Sequence, residues 1–273
     1  MTSNALKTFS GTLVLAGAGK MGGAMLSGWL AGGLDASRAS VIEPHPSDDT
    51  RAFAARGVTL NPETKNLTAD VLVLAVKPQM FAEAAPQLKS LVGPSTLVVS
   101  IMAGTTIAGI AKACGGKVIR AMPNTPAAIG RGITVAVAAN GITQDQRAVA
   151  DALLRATGEV EWVDDETLMD AVTAVSGSGP AYVFLLAEEL ARAGVAAGLP
   201  EVLATKLARA TVSGSGELLR QSDFDSATLR KNVTSPGGTT AAALDVLMSA
   251  DGFQPLLERA VAAATKRSKE LAS

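Results

Sequence analysis

Short apolar runs alternate with stretches of helical spacing through the first half of the chain. Leu13-Val14-Leu15-Ala16 contains no polar position, as expected of a strand buried on both faces. Met21, Met25, Leu26, Trp29 and Leu30 then recur at helical spacing, and Gly32-Gly33 is a stop signal. Further strands are expected at Ala39 to Glu43, Asp70 to Ala75, Thr96 to Ile101, Lys117 to Arg120 and Ile133 to Val137. Helical patterns separate several of them, as in Thr106 to Cys114 and Gln144 to Thr157. Such alternation predicts a doubly wound, Rossmann-like α/β sheet with ligand loops at the strand carboxyl ends.

The pattern changes after Trp162. From Glu166 onward no run has strand period, and helical periods pass through Leu168 to Val175, Ala181 to Ala197, Pro200 to Arg220 and Pro255 to Ala272. Gly177-Ser178-Gly179-Pro180 interrupts the first of them. Pro180 would cost about 3 kcal/mol inside a helix unless it begins a new one or sits at a kink. The expected division is therefore an α/β domain over residues 1–164 and an all-α domain over residues 165–273. The helical half has few aromatics and many alanine stripes, so it is expected to complete its core against a second chain, as a dimer.

Composition narrows the function. Hydrophobic residues are 48% and charged residues 18% of the 273, enough for a real core and unlike a disordered chain. A net charge of −1 gives no support to a nucleic-acid or anionic-membrane partner. Cys114 is the single cysteine and His45 the single histidine, which removes intrachain disulfides, thiolate clusters, His-based triads and multi-His metal sites. The segment Met1 to Ser10 is polar, unlike a signal peptide. No apolar run approaches the ~20 residues a bilayer requires. A soluble, cytoplasmic protein is expected.

Gly17-Ala18-Gly19-Lys20-Met21-Gly22 lies between the first strand and the first helix and forms a G-x-G-x-x-G. In that setting the first glycine allows the tight turn, the second lets a pyrophosphate approach, and the third lets helix and strand pack closely. The alternative is a tight turn without a ligand. Glu43 lies 21 residues beyond Gly22, near where an acid bonds the adenine ribose. An acid there repels a 2′-phosphate, although His45 and Arg51 are near enough in sequence to offset it. Without a ligand Glu43 is a solvated strand end. The loops Ala75 to Gln79, Ala103 to Thr106 and Met122 to Pro126 are expected along one crevice. Lys77 there is either a phosphate neighbour or a solvated loop lysine, and Arg120 is read as structural. Late in the chain, Thr234-Ser235-Pro236-Gly237-Gly238-Thr239-Thr240 precedes an Ala-rich run. A flexible loop feeding a helix start suits an anion, and it also suits an ordinary capped turn.

Together these stretches resemble the Δ1-pyrroline-5-carboxylate reductase family. The resemblance rests on Gly17 to Gly22, Ala75-Val76-Lys77-Pro78, Arg120 to Pro126, Ser176 to Tyr182, and Ser235-Pro236-Gly237-Gly238-Thr239-Thr240, in order along nearly the whole chain. It implies that Gly17, Ala18, Gly19, Lys20, Met21, Gly22, Ala75, Val76, Lys77 and Pro78 hold NADPH or NADH, with Asn232 also beside the cofactor, while Glu43 and His45 are candidate cofactor neighbours by the spacing above and not by the resemblance. It implies that Ser235, Gly238, Thr239 and Thr240 hold the substrate, with Glu166 nearby and the Thr240 hydroxyl at the ring nitrogen. It further implies homodimers built through interlaced helical domains, often assembled into decamers. At Glu43 the chain departs from many members, which carry a small or polar residue that tolerates the 2′-phosphate of NADPH. The choice between the two cofactors is therefore open.

The chemistry implied is hydride transfer to 1-pyrroline-5-carboxylate, a cyclic imine, giving L-proline. A protonated imine carries positive charge that hydride addition neutralises. No strong protein acid is then needed, and the protein's task is position. The N–H groups of Gly238, Thr239 and Thr240 are expected to hold the carboxylate. Rival readings are a cofactor-sensing regulatory protein without turnover, a related imine or 2-ketoacid reductase, and a methyltransferase. A methyltransferase sheet commonly ends in an antiparallel hairpin, for which the sequence gives no cue. A ketoacid reductase commonly uses a lysine in its helical domain, and Lys206 falls well past Gly177 to Pro180.

Overall fold

The computed structural model describes residues 5–65 and 67–271. Ala272, the expected end of the last helix, lies outside them. Eight strands form one sheet in the order β3-β2-β1-β4-β5-β6-β7-β8. They are β1 (Leu13–Ala16), β2 (Ala39–Ile42), β3 (Thr59–Leu60), β4 (Ala69–Leu74), β5 (Val92–Ser100), β6 (Lys117–Met122), β7 (Gly132–Ala138) and β8 (Gly158–Val163). The first six pair in parallel, in the strand order of a dinucleotide-binding sheet. β1 sits between β2 and β4, which explains its unbroken apolar run.

Alternate residues of β1 serve opposite faces of the sheet. Leu13 and Leu15 pack with Met25, Trp29, Leu153 and Val160. Val14 and Ala16 pack with Leu72, Leu74, Phe81, Leu88 and Ile110. The helices that cover these faces are α1 (Lys20–Ala31), α2 (Asp48–Ala54), α3 (Pro78–Lys89), α4 (Ile107–Cys114) and α5 (Gln144–Arg155). α1 ends where the double glycine requires: Gly33 takes φ 98°, and the Leu34 N–H returns to the Trp29 carbonyl. The Trp29 indole N–H, fully buried, donates to the Leu153 carbonyl at 2.8 Å. Thr143 and Gln146 form a reciprocal capping box at the start of α5.

Three local expectations change in the α/β part. Val76 to Gln79 is not all loop, because α3 already begins at Pro78, where a missing N–H costs nothing. β7 runs antiparallel to β6, so the sheet contains the antiparallel pair for which no cue was legible. The tight 3₁₀ turn Thr125–Ile129 and Gly130 at φ 68° connect the two strands. β8, which then returns parallel to β7, lies in a stretch not read as a strand, although Glu159 and Glu161 alternate there with Val160 and Trp162.

The helical region contains α6 (Met169–Val172), α7 (Gly179–Ala196), α8 (Glu201–Gln221), α9 (Ser226–Asn232), α10 (Thr239–Leu247) and α11 (Phe253–Leu271). The helix expected over Leu168 to Val175 is instead a composite: a 3₁₀ turn over Glu166–Leu168, then α6, then a π turn over Thr173–Gly177. Pro180 lies in the first turn of α7, so it begins a helix and does not break one. The chain divides into two compact units, the first through Gly177 and again from Ala264, the second Ser178–Ala263. Met169 and Ala174 are fully buried in the first unit, which carries the compact division past the composition change near Val163. No helix among the described residues is long and apolar enough to cross a membrane.

The second unit has little interior of its own. In α7 and α8 only Ala204 and Ala208 are buried. Val202 is 83%, Val246 70% and Phe184 67% exposed, so large apolar side chains lie in the open.

One packing contact in the first unit gives a test by sign. Gly28 lies inside α1, where alanine would ordinarily gain about 1 kcal/mol of helix propensity. A Cβ there would stand 2.6 Å from the Ala156 carbonyl oxygen, a backbone atom that cannot swing away. Overpacking outweighs propensity, so Gly28→Ala is expected to lose about 1–2 kcal/mol, read from the urea midpoint. A rise in the midpoint would mean that α1 can shift away from α5.

Candidate functional site

The β1–α1 turn is held by close backbone approach. Gly17 takes φ 92°, and a Cβ there would meet the Ala75 carbonyl carbon and oxygen at 2.7 Å. A Cβ at Gly22 would collide with the Gly17 carbonyl and press on the Ala75 side chain. These two glycines are requirements of the backbone. Gly19 differs. Its φ is −64°, and a Cβ there would meet nothing within 4 Å. Gly19 is the N-cap of α1, and no side chain caps that helix. The first N–H groups of α1 lack intrahelical partners, and the helix dipole is positive there.

Two crevices open beside this turn. One, of ≈ 410 Å³, is lined by Gly17, Gly19, Glu43, His45, Val76 and Lys77 among others. The second, of ≈ 820 Å³, is lined by residues including Ala18, Gly19, Lys20, Glu43, His45 and Thr50. Glu43 and His45 thus border both. Met21, Gly22 and Pro78 sit in the first turns of α1 and α3 next to these walls. The α2 helix is tied to the turn by Thr50, whose buried hydroxyl donates to the Ala18 carbonyl at 3.2 Å. A long ligand with an anionic middle fits: an open glycine face, an uncapped helix start, and flanking room on both sides.

Glu43 is not a loose strand end. Its Oε2 accepts from the Ala18 N–H at 3.0 Å and its Oε1 from the His45 N–H at 3.1 Å. Asn61, just past β3, escaped the sequence reading. Its side-chain carbonyl accepts from the Glu43 N–H at 2.8 Å, and its amide donates to the Glu43 carbonyl at 3.0 Å. The signal that marks it, a positive φ of 47° at a non-glycine residue, is visible only in the fold.

Glu166 and Arg120 meet. The Glu166 Oε1 accepts from Arg120 Nη1 at 3.0 Å and from the Ile107 N–H at 2.8 Å. Arg120 is 4% exposed and Glu166 about a third, so this is a pair at the edge of the interior. Next to it, hydrogen bonds from the Thr167 side chain and backbone hold the Asp165 carboxyl below its usual range. Arg120, read as structural, is buried in this pair. Asn124 bonds both Ser176 and the Ile133 N–H, and so ties the chain after β6 to the π turn.

The second unit carries the other predicted loop. Asn232 ends α9, the chain turns through Gly237 at φ 69°, and Gly238 is the N-cap of α10. No side chain caps α10. The Gly238 N–H donates to the Ser235 carbonyl at 3.0 Å, so it closes the turn and is not free for a carboxylate. The N–H groups of Thr239 and Thr240, in the first turn, remain. Thr240 is half-buried, while Ser235 and Thr239 are exposed.

A Rossmann-type sheet with a glycine crevice, followed by an all-helical region, defines the class: a dinucleotide-dependent reductase of two-part build. Residues 12–104 match the family model described as NADP oxidoreductase, coenzyme F420-dependent, and residues 166–271 match pyrroline-5-carboxylate reductase dimerisation. A pyrroline-5-carboxylate reductase from Synechocystis sp. is 42% identical over 265 residues, 95% of this chain and 97% of that protein. The solved structure of a pyrroline-5-carboxylate reductase from Coxiella burnetii superposes with a TM-score of 0.89 at 35% identity, covering 97% of this chain and 100% of that one. That of a Plasmodium falciparum pyrroline carboxylate reductase with NADP bound gives 0.80 at 30% identity, covering 97% and 99%. The chain belongs to the pyrroline-5-carboxylate reductase family.

Gly19 separates folding from binding. Because a Cβ there meets only open space, Gly19→Ala is expected to keep the parent melting temperature. Its methyl group would stand where a pyrophosphate approaches the helix start, so dinucleotide affinity is expected to fall at least about tenfold. Isothermal titration beside a thermal melt checks both. Unchanged affinity would place the pyrophosphate elsewhere.

Proposed function

We propose that this protein is a cytoplasmic NAD(P)H-dependent reductase that converts 1-pyrroline-5-carboxylate to L-proline, the last step of proline biosynthesis. The observation that carries the reading is the uncapped, glycine-lined start of α1 beside the Ala75 backbone, in a chain 42% identical to a reductase of that name. Bound NAD(P)H supplies the hydride.

The chain's own residues bind and orient. The turn Gly17 to Gly22 cradles the pyrophosphate, on the main-chain N–H groups at the start of α1, since those of Gly17 and Ala18 are already bonded to the Ile42 carbonyl and to Glu43. Ala75 to Pro78 line the neighbouring wall, with Lys77 as a counter-charge. Asn232 stands beside the cofactor and Glu166 beside the substrate. The Ser235–Thr240 loop takes the substrate, its carboxylate on the N–H groups of Thr239 and Thr240 at the start of α10. The Thr240 hydroxyl orients the ring nitrogen by a hydrogen bond. It is too weak an acid to release a proton freely, and a protonated imine does not require one. By this reading residues 1–164 serve the cofactor, and residues 165–273 serve substrate and assembly and add Asn232 to the cofactor.

Assembly follows from the bare apolar helices of the second unit. Burying apolar surface is worth about 25 cal/mol per Å², which drives faces of this kind against a second copy. A homodimer is the basic species, with a decamer built from such dimers as a further level. Light scattering at micromolar protein is expected to give at least twice the mass of one chain. A fully active monomer would overturn both the dimer and any borrowing of site residues.

Thr240→Ala tests the substrate loop. Alanine is a good helix former, so the variant is expected to fold. Its NAD(P)H affinity is expected to match the parent, since the Gly17 to Gly22 turn is untouched. Its kcat/KM for 1-pyrroline-5-carboxylate is expected to fall about tenfold, or ~1.4 kcal/mol. That is less than the roughly 10²–10³ often lost with a preorganised donor, because the substrate brings its own charge. A parallel fall in kcat places the hydroxyl in the transition state. Thr239→Ala is the control and is expected to be milder. Equal kinetics for parent and Thr240→Ala would remove Thr240 from the mechanism. No turnover by the parent with either cofactor would leave a dinucleotide-binding protein without this reaction.

A further inference from the structure

We infer that this chain selects NADH over NADPH, and that Asn61 is the positioning residue that sets the preference by clamping Glu43. The inference rests on the dinucleotide reading above and resolves the cofactor choice which that reading leaves open.

Glu43 directly follows β2, the position from which an acid reaches the adenine ribose in sheets of this kind. A flexible carboxylate there could swing aside for a 2′-phosphate. This one is held at both ends. Its two oxygens accept from the Ala18 and His45 N–H groups, within the glycine turn and the loop after β2. Its backbone is held by Asn61, whose amide bonds both the N–H and the carbonyl of Glu43.

The mechanism of the clamp is a strand made from a side chain. β2 and β3 pair in parallel through Ser40–Thr59 and Val41–Leu60. The Asn61 N–H adds one more rung, to the Val41 carbonyl at 2.7 Å. The chain then leaves the sheet at φ 47°, a conformation that asparagine tolerates better than most residues. Its amide supplies the donor and acceptor that a next β3 residue would have offered to Glu43. The sheet is thus extended by one residue, and the acid is carried to a fixed height above the turn.

Each carboxylate oxygen has a second lone pair. The clamped group can therefore accept from ribose hydroxyls while keeping its bonds to Ala18 and His45. A 2′-phosphate brings like charge to the same place. The counter-charges are thin. Lys20 and His45 line the larger crevice, which also holds Asp49, and Lys77 lines the smaller one, which also holds Glu83. Arg51 stands 4.0 Å from Asp48 and is largely exposed. Neither crevice presents an arginine fork for a phosphate.

The test is direct titration, by calorimetry or nicotinamide fluorescence, of NADH and NADPH into parent, Glu43→Ser and Asn61→Gly, with melts beside them. No imine is needed, so binding is separated from turnover. The parent is expected to bind NADH about tenfold more tightly than NADPH, as like charges are opposed in a partly solvated site. Glu43→Ser is expected to bring the ratio of dissociation constants to within about twofold of unity. Asn61→Gly keeps the positive φ available and deletes the amide. It is expected to move the ratio at least about threefold toward unity without lowering NADH and NADPH affinity equally, as a merely structural role would. Raised salt is expected to shrink the parent preference. NADPH binding as tight as NADH in the parent, or an unchanged ratio in Glu43→Ser, overturns the proposal. An unchanged ratio in Asn61→Gly removes the clamp. Binding of neither dinucleotide overturns the crevice reading as well. Selective NADH binding without turnover overturns only the reductase reading.

Discussion

Backbone pressed on backbone at Gly17 is the constraint on which the nucleotide half of this protein depends. Three segments converge there: the exit of β1, the first turn of α1 at Gly22, and the Ala75–Val76 peptide after β4. None leaves room for a methyl group. Because no side chain intervenes, the start of α1 is brought directly over the strand ends with its N–H groups exposed. The same crowding brings the Ala18 N–H within reach of Glu43 and the Ala18 carbonyl within reach of Thr50. A cofactor crevice, its acidic edge and the seating of α2 are consequences of one steric requirement.

The second unit obeys the opposite logic. Its helices are long, but its buried positions in α7 and α8 are alanines, which bring helices close while burying little apolar area. Gly194 lets α7 approach α8, since a Cβ there would already stand 3.2 Å from the Ala204 methyl. Large side chains such as Phe184 and Val202 are left on the outside. Such a unit gains its stability from what it packs against. The match of residues 166–271 to a dimerisation family is the sequence counterpart of that deficit.

A set of polar connections also lies within the first unit. Arg120 from β6, the Ile107 N–H at the start of α4 and Glu166 share one carboxylate oxygen. Ser268, near the end of α11, donates to Asp170 at 2.6 Å. The π turn at Thr173–Gly177 follows, where Gly177 leaves room against the Met122 side chain.

Periodicity alone determined much of this protein. Mainly apolar runs marked the central parallel strands, because a strand covered on both faces holds a polar side chain only where it is paired, as Arg120 is with Glu166. Glycine spacing located the tight turn between β1 and α1, because the positive φ of Gly17 and the close backbone approach at Gly17 and Gly22 exclude a side chain. The loss of strand period after Trp162 marked the helical region. Tertiary structure decided the rest. β8 was not read as a strand, although its exposed Glu159 and Glu161 alternate with Val160 and Trp162 as on an edge strand with one solvent face. The antiparallel turn between β6 and β7 depends on a 3₁₀ reversal with no periodic trace. The pairing of Arg120 with Glu166 joins residues 46 apart, and the Asn61 clamp joins residues 18 apart through a backbone angle. Such contacts arise from where the sheet carries its loops, and one chain read in order has no means of showing which loops will meet.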